Sequence, residues 1–456
     1  LANAFAVPLS PGIRQPQDVS LSNLTLLSAT GTMDLKNIFI EISYHEDLFN
    51  NVSSGYLLLS ESMNYNEILH LNGNEFLRLT FSTFGDTNTQ IDKLMRVYKM
   101  DKRKLEGNMN TISYCLYFCS EEMLLNEQYK LCKSYSKKSI SDNVKDILYN
   151  FLKVNQGKQQ DNTIIEQTYG TYDFIIPTIK PFDAINWMSV YARPSPDKPG
   201  ADMLLYENKH GFNFRSLQSL MESNVYHNYS YNPKNTNPKN LNESLHNVLT
   251  YEVMDAFDTL GAINSGVFAN QLISVDILTR TKKTTNFDYG EYQKSSKKLN
   301  PYPIVNQYQN RLKDELNQTP QAVLKLVFSN FDEHTSPYIK NQDPNSIAQN
   351  IFAETYIPYR TAQIALANYT RLKICVPGDS NLTVGMVIGF SLKSINPNSK
   401  EPDAFYSGNY LITAVRHLIS DNYKTVLEIV KESTPTQYAS PDNNSTIWSN
   451  TSKGIK

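Results

Sequence analysis

Seven histidines, four cysteines and one adjacent pair of glutamates are the residues whose chemistry could define a site. The histidines, His45, His70, His210, His227, His246, His334 and His417, are scattered. None forms the His-x-x-x-His pair that grips a metal from one helix face. His227 and His246 bracket an Asn-Pro-rich stretch, where solvated loop imidazoles are preferred to a metal site. His417 follows an alternating apolar run and reads as structural. The cysteines, Cys115, Cys119, Cys132 and Cys375, form no Cys-x-x-Cys and lack the spacing of a zinc site. Cys115 and Cys119 share one face of an expected strand, about 13 Å apart, and should not bond to each other. All four read as free thiols of a protein assembled inside a cell. Glu121 and Glu122 raise glycoside hydrolysis, which needs two carboxyls about 5–9.5 Å apart across the scissile bond. Neighbours at a strand end point to opposite faces, so a solvated strand end is preferred. Neither a Gly-rich phosphate loop nor a Gly-x-Ser-x-Gly elbow occurs. No catalytic, cofactor-binding or metal residue is assigned, and no cofactor is expected.

At 456 residues the chain is long enough for two to four units. Lysine and arginine number 43 against 45 acidic residues, a balance that argues against a general nucleic-acid or membrane-surface binder. One basic cluster stands out: Lys93, Arg96, Lys99, Lys102, Arg103 and Lys104. Facing a channel, it would hold DNA phosphates and slow their passage. A solvated edge, guarded by lysine against strand pairing, is the simpler reading. No stretch approaches the roughly 18 apolar residues of a membrane span, and the apolar start, Leu1 to Pro8, lacks a basic leader.

The elements that would position these groups are mostly strands. Residues 1–20, with Pro8, Pro11 and Pro16, read as an arm. Alternating runs at 36–43, 55–60, 74–81, 94–99 and 111–119 suggest a barrel or sandwich. The period then changes: 139–152 and 181–192 carry apolar residues at helical spacing, with Phe182 and Trp187 as core. A hairpin is expected over 203–214, turning at Asn208 to Gly211. Residues 228–240 read as a linker and 248–260 as a helix. A strand at 271–279 is expected to return and close the first barrel. Residues 285–320 look irregular, 322–328 starts a second barrel, and 330–356 is a surface excursion. The barrel resumes with a helix at 359–368, strands at 372–376, 382–390, 410–416 and 424–430, and a Pro377-Gly378-Asp379 turn. The fold class is thus β-rich α+β: two tube-like antiparallel β-barrels with an inserted α/β module. The units are an arm at 1–20, a first barrel from 21–120 with 248–285, a module and linker at 121–247, a second barrel at 286–432, and a polar tail at 433–456.

The C-terminal pattern resembles the barrel of baseplate hub proteins of contractile phage tails. Type VI secretion spike proteins and late-control tail proteins share it. The residues that carry the resemblance are Gly378, Asp379, Leu382, Gly385, Gly408, Tyr410, Val415 and His417, and the Pro181-Phe-Asp-Ala-Ile-Asn-Trp187 stretch is the most distinctive match. Blocks at 71–76, 91–98 and 119–128 resemble the N-terminal barrel of the same family, which carries an internal duplication. The resemblance implies a non-enzymatic virion protein of the tail baseplate, assembled in the host cytoplasm. It implies a homotrimer whose paired barrels form a six-fold-like ring between the hexameric tail tube and the trimeric spike. Its implied partners are the spike, the tail tube, the tape-measure protein and the baseplate wedge proteins, with DNA only in transit. The alternatives are a tail-associated peptidoglycan hydrolase, which would need a paired acidic site or metal triad, and a receptor-binding tail module.

Overall fold

The computed structural model describes residues 17–436 except 64, 84–89, 107–110, 155–161, 195–199, 232–244, 277–279, 304–322, 329–355, 368 and 395–400. Most of the arm, much of the surface excursion and most of the polar tail lie outside these residues. The fold is mostly antiparallel sheet with few helices. No described helix is long and apolar enough to cross a membrane.

The chain opens with β1 (Val19–Leu27), β2 (Thr32–Asp34), β3 (Phe39–Asp47), β4 (Ser54–Glu61), β5 (Phe76–Thr83), β6 (Ile91–Glu106) and β7 (Thr111–Cys119). The five alternating runs of this region all form strands because period two puts one apolar face inward. In β5, Leu77, Leu79 and Phe81 are fully buried. They join Leu24, Ile42, Tyr44, Leu57 and Phe118 in one core.

The module follows, with β8 (Leu131–Lys138), β9 (Ile164–Ile165), β10 (Tyr172–Ile179), β11 (Met203–Glu207) and β12 (Phe212–Ser216). Ser139 caps the helix Ile140–Asp146 by accepting from the Asp142 amide, and a π-helical turn, Ile147–Phe151, continues it. The helix Pro181–Ser189 starts on its proline, where a missing N–H costs nothing. Phe182 is buried in the module core. Trp187 is only half-buried at the margin of that core, edge-on to Phe174 at 5.4 Å. The hairpin turns where expected, with Asn208 and Gly211 exchanging backbone hydrogen bonds.

The remainder comprises β13 (Val225–Tyr231), β14 (Thr250–Asp255), β15 (Ala269–Asp276), β16 (Thr281–Asp288), β17 (Tyr302–Pro303) and β18 (Val323–Phe328). After the helix Ile357–Leu366 come β19 (Thr370–Pro377), β20 (Val387–Leu392), β21 (Gly408–Ile419), β22 (Tyr423–Lys431) and β23 (Ser433–Thr434). One strand order occurs twice. The neighbours run β3-β4-β7-β6-β5 in the first set and β14-β19-β22-β21-β20 in the second. In each set the first strand pairs with the second, the second with the fifth, the fifth with the fourth and the fourth with the third. Every one of these pairs is antiparallel.

Several expectations are corrected. From the sequence, the 271–279 strand closes the first barrel and 322–328 begins the second. Instead β15 lies between β16 and β18 in a separate three-stranded sheet. Strand periodicity marks a buried face but does not name the neighbour. The helix expected over 248–260 is β14 followed by a short helix, Thr259–Asn264. Tyr251 and Val253 alternate inward there, which is strand spacing. The linker expected over 228–240 begins as β13, paired in parallel with β20. Within 285–320, expected to be irregular, β16 runs into the helix Tyr289–Ser295. The tail begins not free but as β23, paired with β17.

The Pro377-Gly378-Asp379 turn docks tightly. A Cβ on Gly378 would lie 2.1 Å from the buried Tyr423 ring. Gly378→Ala is therefore expected to cost about 2–3 kcal/mol in urea unfolding, as overpacking does. Gly31→Ala, whose methyl would meet nothing closer than 4.0 Å, should be close to neutral.

Candidate functional site: the seam between the strand sets

The two sets are joined through β21. Its first residues, Gly408–Leu411, bond to β20, and Ala414–Ile419 bond to Ile42–Asp47 of β3. The sets therefore share one hydrogen-bonded sheet. Side chains lock both faces of this seam. On one face Arg416 donates from Nε to Ser43 Oγ at 2.8 Å and from Nη2 to Tyr56 Oη at 2.6 Å. Tyr56 in turn donates to Glu41 at 2.5 Å. On the other face His417, fully buried, stacks on Tyr44, lies edge-on to Phe81, and bonds through Nδ1 to Tyr423 Oη at 2.8 Å. Burial pushes His417 down to about 3, and burial with the Arg416 charge pushes His45 down to about 4.

Beneath the seam lie two buried carboxylates. Glu46, on β3, accepts from the Thr383 hydroxyl, from the Val384 amide at 3.3 Å and from Tyr44 Oη at 3.2 Å. Burial raises it above the usual carboxylate range. Glu207, at the end of β11, ties the module to the first set. Lys93 of β6 donates to it at 2.7 Å and also reaches the Asn208 carbonyl at 2.7 Å. Ser53 donates from its amide and hydroxyl, both at 2.9 Å, and the Ser120 hydroxyl adds a third donor. Burial pushes Glu207 up, but the Lys93 ammonium and these donors outweigh it and hold the carboxyl below its ordinary value. The Gly378 turn completes the joint. Thr83 and Ser380 bond reciprocally, amide to hydroxyl, at 3.0 and 2.8 Å, and Lys209 of the module donates to the Ser380 carbonyl.

The residues singled out in the sequence are distributed as follows. His417 sits in the seam, and Leu382, Tyr410 and Val415 are buried in the core of the second set. His227 and His246 are brought together, with ring centroids 4.2 Å apart. Among the described residues, however, no three His, Cys, Asp or Glu side chains group to hold a metal. The cysteines are free thiols, with Cys115 and Cys119 buried on β7. Glu121 and Glu122 are not at a strand end but in the first turn of the helix Glu121–Gln128, because Ser120 ends the strand and starts the helix. Glu121 is bound by Arg96 at 2.8 Å. The basic cluster is split. Lys93 and Arg96 turn to carboxylates of the module side, while Lys99, Lys102, Arg103 and Lys104 are exposed.

Sequence reasoning passed over Glu46, Glu207, Lys93 as an ion-pair partner, Arg416 and Tyr423. One signal was present for Glu46: it shares the inward face with Ile42 and Tyr44 at period two.

Two outcomes test this seam. Lys93→Met strands a buried carboxylate and should cost about 3–5 kcal/mol at neutral pH. Without the ammonium, burial raises Glu207 in the folded state, so folding takes up a proton. The deficit relative to wild type should therefore shrink on acidification from pH 7 to 5, read by urea unfolding at each pH. His417 behaves in the opposite sense. Its folded pKa lies below the unfolded value, so the unfolded chain binds more protons and stability falls as pH drops below about 6.5. Each such histidine contributes a slope of about 1.4 kcal/mol per pH unit. His417→Gln should make the curve shallower between pH 6.5 and 4 by up to about 1.4 kcal/mol per pH unit, leaving the parts due to His45, His210 and His227, which burial also pushes down.

No protein-family model matches the sequence, and no curated protein matches it. Solved structures do. The tail protein from Neisseria meningitidis MC58 aligns with a TM-score of 0.50 at 8% identity, over 90% of this chain and 96% of that one. The 43 kDa tail protein of prophage MuSo2 from Shewanella oneidensis aligns with a TM-score of 0.49 at 8% identity, over 90% of this chain and 99% of that one. The half-lidded PdpA–VgrG complex of Francisella aligns with a TM-score of 0.43 at 10% identity, over 94% of this chain and 60% of that one. At these identities the likeness is one of fold alone, and it is carried by the Neisseria protein: a mostly antiparallel, tail-protein-like architecture.

Proposed function

We propose that the chain is a structural virion protein, the central baseplate hub of a contractile tail. In this reading the two strand sets are two tube-like barrels, and the module and the β15 sheet are outer additions. Three chains present six equivalent sets, which match a hexameric tail tube above and a trimeric cell-puncturing spike below. Tape-measure protein and DNA pass through the channel, and wedge proteins surround the hub in the baseplate. The observation that carries the reading is the repeated strand order, joined edge to edge at β21 and β3. A repeat that already pairs with itself inside one chain is suited to pair again between chains. The fold likeness to the Neisseria tail protein supports the same reading. Three acidic groups fit a structural role better than hydrolysis: Glu46 and Glu207 are buried and Glu121 is held by Arg96.

Co-expression with the cognate spike, followed by mass measurement, should give a 3:3 complex. A stable 1:1 or 6:6 complex would overturn the symmetry-adapter role.

A further inference from the structure

We infer that His227 and His246 together chelate one divalent ion of the zinc type, which clips β13 to the segment that follows it in the chain. The inference rests on the side chains of this corner of the second set and is independent of the hub reading. His227 lies on β13, which is fixed along β20 by the pairs Val225 with Val387 and Asn228 with Gly389. His246 lies beyond residues 232–244, yet its backbone is held to the same strand. The Ser230 amide donates to the His246 carbonyl at 3.1 Å, and the Val248 amide donates to the Ser230 carbonyl at 2.9 Å. Both backbones are thus anchored before any ion arrives. Their side chains meet, with ring centroids 4.2 Å apart and planes inclined at 50°.

Imidazole is the commonest metal ligand, and two of them on anchored segments form a chelate that needs little ordering on binding. An imidazole bound at about 2.0–2.1 Å places its centroid about 3.2 Å from the ion, so two on one tetrahedral ion have centroids about 5 Å apart. The spacing of 4.2 Å opens to that value by rotation of His227, whose side chain is exposed. The rings behind the pair give it a wall: Tyr226 lies 4.4 Å from His227, and the buried Tyr229 lies 5.5 Å from His246. Tyr226 Oη also donates to Asp379 Oδ2 at 3.2 Å, and the Asp379 charge reaches His227. The corner therefore carries a carboxylate that favours a cation. Nitrogen ligands select zinc, nickel or copper ions over magnesium and calcium, which take oxygen. Two protein ligands leave the other coordination positions to water. An ion held by both rings ties the chain before residue 232 to the chain after residue 244, and so holds β13 in place on β20.

The test uses the full chain without an affinity tag, stripped with a chelator and titrated with zinc chloride by calorimetry near neutral pH. One ion per chain should bind, and calcium chloride should give no binding heat. His227→Ala and His246→Ala should each weaken zinc binding at least about tenfold. His70→Asn, at an exposed histidine of the first set, should leave it unchanged. A second readout needs no variant. With free zinc at about ten times its dissociation constant, carbethoxylation of wild-type His227 should slow about tenfold while that of His70 does not change. A wild type that binds no zinc below about millimolar concentration overturns the site and leaves the two rings as aromatic packing. Zinc that binds but survives either alanine substitution, or that leaves His227 fully reactive, is held elsewhere and also overturns it. The hub reading stands or falls separately, on the 3:3 complex.

Discussion

The ladder between β21 and β3 is the interaction on which the rest of the molecule depends. A sheet edge carries unpaired N–H and C=O groups and is a standing risk of wrong association. Here two edges of two sets satisfy each other, so Ala414–Ile419 and Ile42–Asp47 are interior rather than edge. The geometry succeeds because β21 is long enough to serve two neighbours in turn. A bulge between Ile412 and Ala414 in its pairing with β22 separates the two halves. Bulges bend a strand and re-aim its edge.

That ladder crosses a region crowded with ionisable groups, and their arrangement favours one placement of its parts. Glu46, Glu207, His417 and Tyr423 are buried, and Lys93 is half-buried, at or near the meeting of the two sets and the module. A buried ion pair contributes little net stability compared with well-packed apolar side chains, but losing one partner is costly. Such a network tolerates one relative placement of its parts and penalises others. The module is thereby held by specific donors, with Lys93, Ser53 and Ser120 converging on one carboxylate. A continuous surface formed from two sets needs this: a small rotation at the seam would displace every strand beyond it.

Much of the local structure was legible in the sequence. Leu77, Leu79 and Phe81 alternate with Arg78 and Thr80, and the strand follows from period two. Ser139 and Pro181 mark helix starts through the chemistry of their own backbone and side-chain groups. The Asn208–Gly211 turn and the Gly378 turn were readable for the same reason. The expected helix over 248–260 failed because a short amphipathic run fits either period, and pairing with β19 decided it. The start of a helix at Glu121 is not legible, because nothing before Ser120 announces that the strand stops there.

The amino-acid sequence by itself determined which residues face inward, where most turns fall and that β-structure dominates. It also determined, through the C-terminal motif, a resemblance that named a fold. Only the tertiary structure decided which strand lies beside which: β15 with β18 rather than with the first set, β13 with β20, and β21 with β3. It alone decided that Glu46, His417 and Phe81 all come against Tyr44 at one seam from positions far apart in the chain. The reason is physical. A side-chain pattern encodes the face that a strand buries, but the hydrogen-bonding groups along its edge are the same in every residue except proline, so neighbours are chosen by the packing of the whole.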